Sequence, residues 1–96
     1  MIARKILEEK RNEILCIVSR HGVKAISVFG SCARGDARAD SDVDFLIEVG
    51  GPTTPWFPGG LVSELEELLG CRVDVVEPDA LRMPVRKEVL GEAVPL

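Results

Sequence analysis

The run from Asp42 to Val49 constrains the fold of this chain most, because its residues alternate between two sides of an extended strand. One side carries Val43, Phe45, Ile47 and Val49, and the other carries Asp42, Asp44, Leu46 and Glu48. The first side is suited to a core, whereas buried carboxylates need a partner or a metal. The pattern therefore predicts a sheet with one covered face and one face that bears aspartates.

Helical patterns separate this strand from two further strand-like runs. Strands are predicted over 23–29, 42–49 and 72–76, and helices over 2–20, 32–35, 61–69, 79–83 and 85–92. The segment 50–60 is rich in Gly and Pro and predicts a long loop. Helices between strands favour an α/β (α+β) fold, in which a small mixed β-sheet has helices packed on one face.

Composition limits the class of protein. A chain of 96 residues predicts a single domain over 1–96. The net charge of −4 argues against direct binding of long nucleic acid. The 3 cysteines lack metal-site spacing, and Cys16 is expected to be buried as a small hydrophobe. Charged residues interrupt the N-terminal apolar pattern, so we expect neither a signal peptide nor a membrane span. We therefore expect a cytoplasmic location.

Asp42 and Asp44 are the first candidates for a chemical role. Residues two apart on a strand share a face, with backbones about 7 Å apart. Asp74 lies on the polar side of the later strand and completes a candidate cluster of carboxylates. Such a cluster suits Mg²⁺, with Mn²⁺ as a substitute, and carboxylates around two ions suit phosphoryl or nucleotidyl transfer. The alternative is that these aspartates lie on a strand face that is simply exposed to solvent and have no chemical role.

Gly30 and Ser31 follow the first predicted strand directly. A strand that ends in Gly-Ser at a helix start offers free backbone N–H groups and a hydroxyl for phosphate. Ser31 is expected to cap the short helix over 32–35 in any case. Arg34 is a candidate for phosphate binding or for an ion pair with Asp36, Asp40 or Asp42. The lone histidine, His21, is expected at a helix end rather than as a catalytic base.

The segment "GSCARGDARADSDVD" resembles the signature of the DNA polymerase β-like nucleotidyltransferase superfamily. Gly30-Ser31, Asp42-x-Asp44 and Asp74 match that signature in order and spacing. The small size, "ARG" at 33–35, "SD" at Ser41-Asp42 and the ending "EAVPL" resemble the minimal nucleotidyltransferases. The likeness covers nearly the whole chain.

The resemblance implies an enzyme that transfers AMP from ATP with two Mg²⁺ ions. Asp42 and Asp44 would bind both ions, and Asp74 would bind the catalytic ion and help to deprotonate the acceptor. Gly30, Ser31, Arg34 and Ser41 would bind the nucleotide, although Ser41 can instead simply orient the strand. Many minimal members are antitoxins that modify a tyrosine of a HEPN-domain toxin, so such a toxin is the expected partner.

Two other functions stay open. A non-catalytic binding module would neutralise its partner by occlusion alone. Nucleotidyl transfer to a small molecule such as an aminoglycoside would need a second domain or a homo-oligomer to build the acceptor pocket. The Gly/Pro-rich loop carries Trp56 and Phe57, which suit base stacking, partner docking or closure onto the core.

Overall fold

The computed structural model describes residues 4–35 and 42–96 of the chain. The helices are α1 (Arg4–Glu9), α2 (Arg11–Arg20), α3 (Gly30–Arg34), α4 (Gly59–Leu69) and α5 (Val85–Glu92). The strands are β1 (Val23–Phe29), β2 (Val43–Val49), β3 (Val73–Val76) and β4 (Val94–Pro95), and a 3-10 helix spans Pro78–Ala80. None of the helices in the described part of the chain is long and apolar enough to cross a membrane.

The strands form a mixed sheet in the order β3-β2-β1-β4. β1 is antiparallel to both β2 and β4, whereas β2 and β3 are parallel. The connection from β2 to the parallel β3 passes through α4, as a crossover between parallel strands requires. The predicted α+β fold with a small mixed sheet is confirmed.

The core lies between the sheet and the helices α1, α2 and α4. Phe45 and Val28 of the sheet are fully buried there, as are Ile14 of α2 and Leu65 of α4. The alternation in β2 is realised, because Val43, Phe45 and Ile47 are buried whereas Glu48 is exposed. Leu46 shares the face of Asp44 and is nevertheless buried, since Pro78 and Leu90 approach that face beside it.

Several predicted bounds were wrong. The first helix is two helices with a turn at Lys10, although hydrogen bonds from Lys10 N–H to the Ile6 carbonyl (3.0 Å) and from Ile14 N–H to the Lys10 carbonyl (2.9 Å) continue across it. The helix expected over 79–83 is the shorter 3-10 helix. β4 was not predicted, because two residues give no periodic pattern. Cys16 is exposed, and Cys32 is the buried cysteine.

His21 lies at the C-terminal end of α2 and contacts both the Gly/Pro-rich loop and α4. Its buried ring places Nδ1 3.2 Å from Thr54 Oγ1 and Nε2 against Glu64 Oε2. Arg20 Nη1 also lies 3.3 Å from Glu64 Oε1. The hydrogen bond from His21 lowers the pKa of Glu64. In the same loop, Trp56 is 82% exposed while Phe57 packs on the core.

Candidate active site

Asp44 and Asp74 are direct neighbours across the parallel β2–β3 pair. Their Cα atoms are register partners, so both side chains leave the same face of the sheet from strands about 4.8 Å apart. On its other side Asp44 is paired with Phe29, the last residue of β1. The sheet therefore brings Asp44 beside both Asp74 and the turn that follows β1, as the sequence predicted.

Gly30 occupies that turn and lies directly against Asp44. Its φ of +73° is in the left-handed region that L side chains rarely adopt. A Cβ atom built on Gly30 would overlap Asp44 Oδ2 and lie 3.3 Å from Asp44 Cγ. Glycine is therefore required here twice, for its backbone conformation and for the space that the Asp44 carboxylate occupies.

The helix after the turn begins earlier than predicted. α3 starts at Gly30, its N-cap residue is Phe29, and no side chain caps it. Ser31 is thus a first-turn residue and not the predicted cap. With the positive φ of Gly30, the chain enters the helix two residues sooner than the predicted serine cap would allow. Ser41, a predicted nucleotide-binding residue, lies outside the described residues, as do Asp36 and Asp40.

Asp42 precedes β2 on the same side as Asp44 and makes an ion pair with Arg72. Arg72 Nε lies 3.1 Å from Asp42 Oδ1, and the two side chains are 77% and 45% exposed. An exposed pair of this kind contributes only about 0–1 kcal/mol. Asp42 can therefore exchange Arg72 for a cation at little cost. No pattern in the sequence indicates this pair, because Arg72 is one of many surface charges.

The surroundings of Asp44 disfavour the ionised form of its carboxylate. Burial raises its pKa, and the charges of Asp74, Asp42 and Glu92 raise it further, while the charge of Arg34 lowers it. Like charges gathered around a partly buried carboxylate disfavour its ionised form. A bound cation would relieve that repulsion.

Glu92 is the site residue that the sequence reasoning missed. At the end of α5, its Oε1 accepts the Gly30 N–H at 2.9 Å, and Arg34 Nη1 donates to Oε1 and Oε2 at 3.3 and 3.2 Å. Arg34 therefore has an ion pair with Glu92, a residue that was not among the pairing partners considered from the sequence. The ending "EAVPL" was part of the resemblance, yet nothing in it indicated this contact.

The carboxylates fit a magnesium site in their chemistry. Oxygen ligands from one or two carboxylates are what Mg²⁺ commonly takes from a protein. Within 4–35 and 42–96, no group of three His, Cys, Asp or Glu side chains is already arranged to hold a metal ion. The ion pair of Asp42 with Arg72 accounts for part of this, because it holds one carboxylate beside a guanidinium.

A groove lies on the same face of the sheet as Asp44. It has a volume of about 270 Å³, and Leu46 and Ser27 form its floor while Pro78 and Leu90 stand at its sides. Leu46 follows Asp44 by two residues, so the backbones of these two residues are about 7 Å apart. An apolar groove beside the aspartates offers space for a ring next to the charged centre.

The chain is similar to known nucleotidyltransferases over nearly its whole length. The family described as the nucleotidyltransferase domain matches residues 5–96. The protein adenylyltransferase MntA of Thermococcus cleftensis is 44% identical over 75 residues, which are 78% of this chain and 76% of the relative. A solved structure provisionally described as a minimal nucleotidyltransferase has a TM-score of 0.85 and 41% identity, covering 99% of this chain and 97% of its own.

The fold also occurs in a toxin–antitoxin structure with AMP-PNP. That match has a TM-score of 0.71 at 20% identity and covers 92% of this chain and 70% of the other. The chain thus belongs to the nucleotidyltransferase domain family. It is a nucleotidyltransferase with the fold of the minimal members, as the sequence predicted.

Proposed function

We propose that this chain transfers AMP from ATP to a tyrosine hydroxyl of a cognate HEPN-type toxin and so acts as its antitoxin in the cytoplasm. The observation that carries the proposal is the juxtaposition of Asp44, Asp74 and Gly30 at one point of the sheet. That arrangement places paired carboxylates beside a side-chain-free turn, as a metal-bound triphosphate requires.

Two of the comparisons support the choice of acceptor and partner. A relative is named a protein adenylyltransferase, which indicates a protein acceptor. A protein with the same fold is known from a toxin–antitoxin structure with AMP-PNP, an ATP analogue. A protein partner would cover exposed apolar side chains of this chain such as Trp56, Met83, Val85 and Leu90.

Asp42, Asp44 and Asp74 are the residues that would hold two Mg²⁺ ions, with Mn²⁺ as a substitute. When bound, such ions lower the pKa of the attacking hydroxyl and neutralise charge that develops on the phosphate oxygens. Ionised Asp44 is disfavoured in the free protein, so cation binding and ionisation of Asp44 favour each other. Asp42 would bind an ion once its ion pair with Arg72 is broken.

The remaining residues bind the nucleotide and handle the proton. The absence of a side chain at Gly30 lets the Asp44 carboxylate lie against the turn, and Ser31, Arg34 and Ser41 bind the phosphates beside it. The acceptor oxygen forms a bond to the α-phosphorus as the bond to the bridging oxygen breaks, and pyrophosphate leaves. Asp74 accepts the hydroxyl proton through a carboxylate oxygen.

The test is incorporation of label from α-labelled ATP into a co-expressed toxin. We expect Mg²⁺-dependent labelling that Asp44→Asn abolishes while circular dichroism shows an intact fold. Glu67→Gln is the matched control, because Glu67 is an exposed carboxylate of α4, which packs on the other side of the sheet from Asp44. Labelling that persists in Asp44→Asn would overturn the mechanism.

Occlusion without chemistry is the second candidate, and the exposed apolar side chains are the observation that favours it. Neutralisation of the toxin in excess EDTA and without ATP would support occlusion instead of transfer. Mass spectrometry of the reaction would also identify a small-molecule acceptor, if one carries the added AMP in place of a protein.

A further inference from the structure

Glu92 connects the end of the chain to the turn after β1. It is the last residue of α5 and lies between two anchors, buried Val89 within the same helix and Val94, which pairs with Val28 of β1. Glu92 is therefore carried on a part of the chain that is fixed to the sheet on both sides. A side chain supported in this way can hold a second, more mobile side chain precisely.

Glu92 contacts Arg34 at one nitrogen of the guanidinium. Both carboxylate oxygens of Glu92 meet the same nitrogen, Nη1, at 3.3 and 3.2 Å. A guanidinium carries five N–H donors, so Glu92 engages only one edge of the group. Because Oε1 also accepts the Gly30 N–H at 2.9 Å, the guanidinium is tied to the turn that lies against Asp44.

Arg34 needs such support because it is a long and half-exposed side chain. Its side chain is 52% exposed, and an arginine side chain carries about 2 kcal/mol of rotamer entropy. A guanidinium held in place beforehand loses less of that entropy when it binds a phosphate. The side-chain entropy of Arg34 is then lost when the protein folds and not when the nucleotide binds.

We propose that Glu92 is a positioning residue that holds Arg34 beside Asp44, ready for the phosphates of the nucleotide. The inference rests on the proposed function, because it assigns Glu92 to the same nucleotide site. It deepens that function by making the C-terminal helix part of the phosphate-binding apparatus.

The opposite role is a carboxylate that competes with the phosphates for Gly30 and Arg34. The two roles predict opposite changes in affinity. Removal of a competing charge would strengthen ATP binding, whereas removal of a positioning residue would weaken it even though one negative charge is lost. A double-mutant cycle with Arg34 shows in addition whether Glu92 acts through that residue.

The experiment measures KM for ATP and kcat for the wild type, Glu92→Gln, Arg34→Gln and the double variant, with Mg²⁺ and the acceptor present. We expect Glu92→Gln to raise KM about three- to tenfold, which is the range of one modest hydrogen bond, and to change kcat by less than about twofold. When Arg34→Gln is already present, Glu92→Gln should not raise KM any further. Glu88→Gln removes the same charge from an exposed position of α5 and should match the wild type.

Three results would overturn the proposal: an unchanged KM, a lowered KM, or the same rise in KM when Arg34 is already absent. Thermal unfolding of each variant identifies a folding defect, and if Glu92→Gln fails to fold, Glu92→Asp replaces it because its shorter carboxylate cannot keep both contacts. If the wild type labels no acceptor, the proposed function fails. The same cycle is then read from ATP affinity by calorimetry, so the two failures are distinguishable.

Discussion

Asp44 and Glu64 are both partly exposed carboxylates, and the structure gives them opposite surroundings. Glu64 accepts a hydrogen bond from His21 and lies beside Arg20, so its pKa falls below the usual value. Asp44 is partly buried among Asp74, Asp42 and Glu92, so its pKa rises. The difference separates a carboxylate that supports the fold from one whose surroundings favour a cation.

The two shifts have opposite consequences for stability against pH. Glu64 contributes stability above its ordinary pKa of 4.5, and that stability is lost as the pH falls through the lowered pKa. The contribution of Asp44 is fully present below its ordinary pKa of 3.8 and is lost as the pH rises through the raised pKa. At neutral pH, therefore, Glu64 stabilises the free protein and Asp44 destabilises it.

Gly30→Ala should cause a large loss of AMP transfer, because it displaces the Asp44 carboxylate. The new Cβ overlaps Asp44 Oδ2 and must push that side chain away. A displacement of about 1 Å at a catalytic group can cost about a hundredfold in rate, so AMP transfer should fall by at least that factor. Initial rates of label incorporation measure it.

Gly70→Ala is the matched control for that variant. Gly70 also has a positive φ, of 69°, but a Cβ there meets nothing within 4 Å. Both variants carry the backbone strain of about 1–2 kcal/mol, and only Gly30→Ala also disturbs Asp44. Equal loss of activity in the two variants would show that backbone strain alone is responsible.

Glu64→Gln should lower Tm by several degrees at pH 7, because His21 and Arg20 lose a charged partner. Its effect should shrink towards acidic pH, where the wild-type carboxylate is itself protonated. Thermal unfolding as a function of pH checks both statements. A deficit in Tm that is constant down to pH 3 would contradict the ion-pair explanation.

Asp44→Asn, which should abolish transfer, should have the smallest effect on stability and one of opposite sign, a rise in Tm of a few degrees at pH 7 without metal. The amide removes the charge that burial and the neighbouring carboxylates disfavour. The same unfolding experiment measures it. A fall in Tm at pH 7 would show that the Asp44 carboxylate is satisfied within the free protein.

The sequence predicted the parts of the site that follow from local periodicity. β1 was bounded correctly at Val23–Phe29, because β-forming residues end at the Gly30-Ser31 signal. The period of two in the strands placed Asp42 and Asp44 on one side of the chain. The assumption that β2 and β3 are neighbours then brought Asp74 beside Asp44, as observed.

What the sequence could not predict depends on contacts between distant residues. Glu92 lies 62 residues from Gly30, and a glutamate at the end of a surface helix looks the same whether it is solvated or bound. The contact of Arg34 with Glu92 and the pairing of Asp42 with Arg72 were missed for the same reason. Long-range pairs between charged side chains are fixed by the packing of the elements and leave no local pattern.

Whether Asp44 is a cation ligand is tested most directly by the stability of the wild type and Asp44→Asn with and without Mg²⁺ and ATP. We expect Asp44→Asn to have the higher Tm in EDTA, and Mg²⁺ with ATP to raise the Tm of the wild type and not that of the variant. A wild type that Mg²⁺ and ATP leave unchanged, or a variant that is the less stable protein in EDTA, would contradict this role of Asp44.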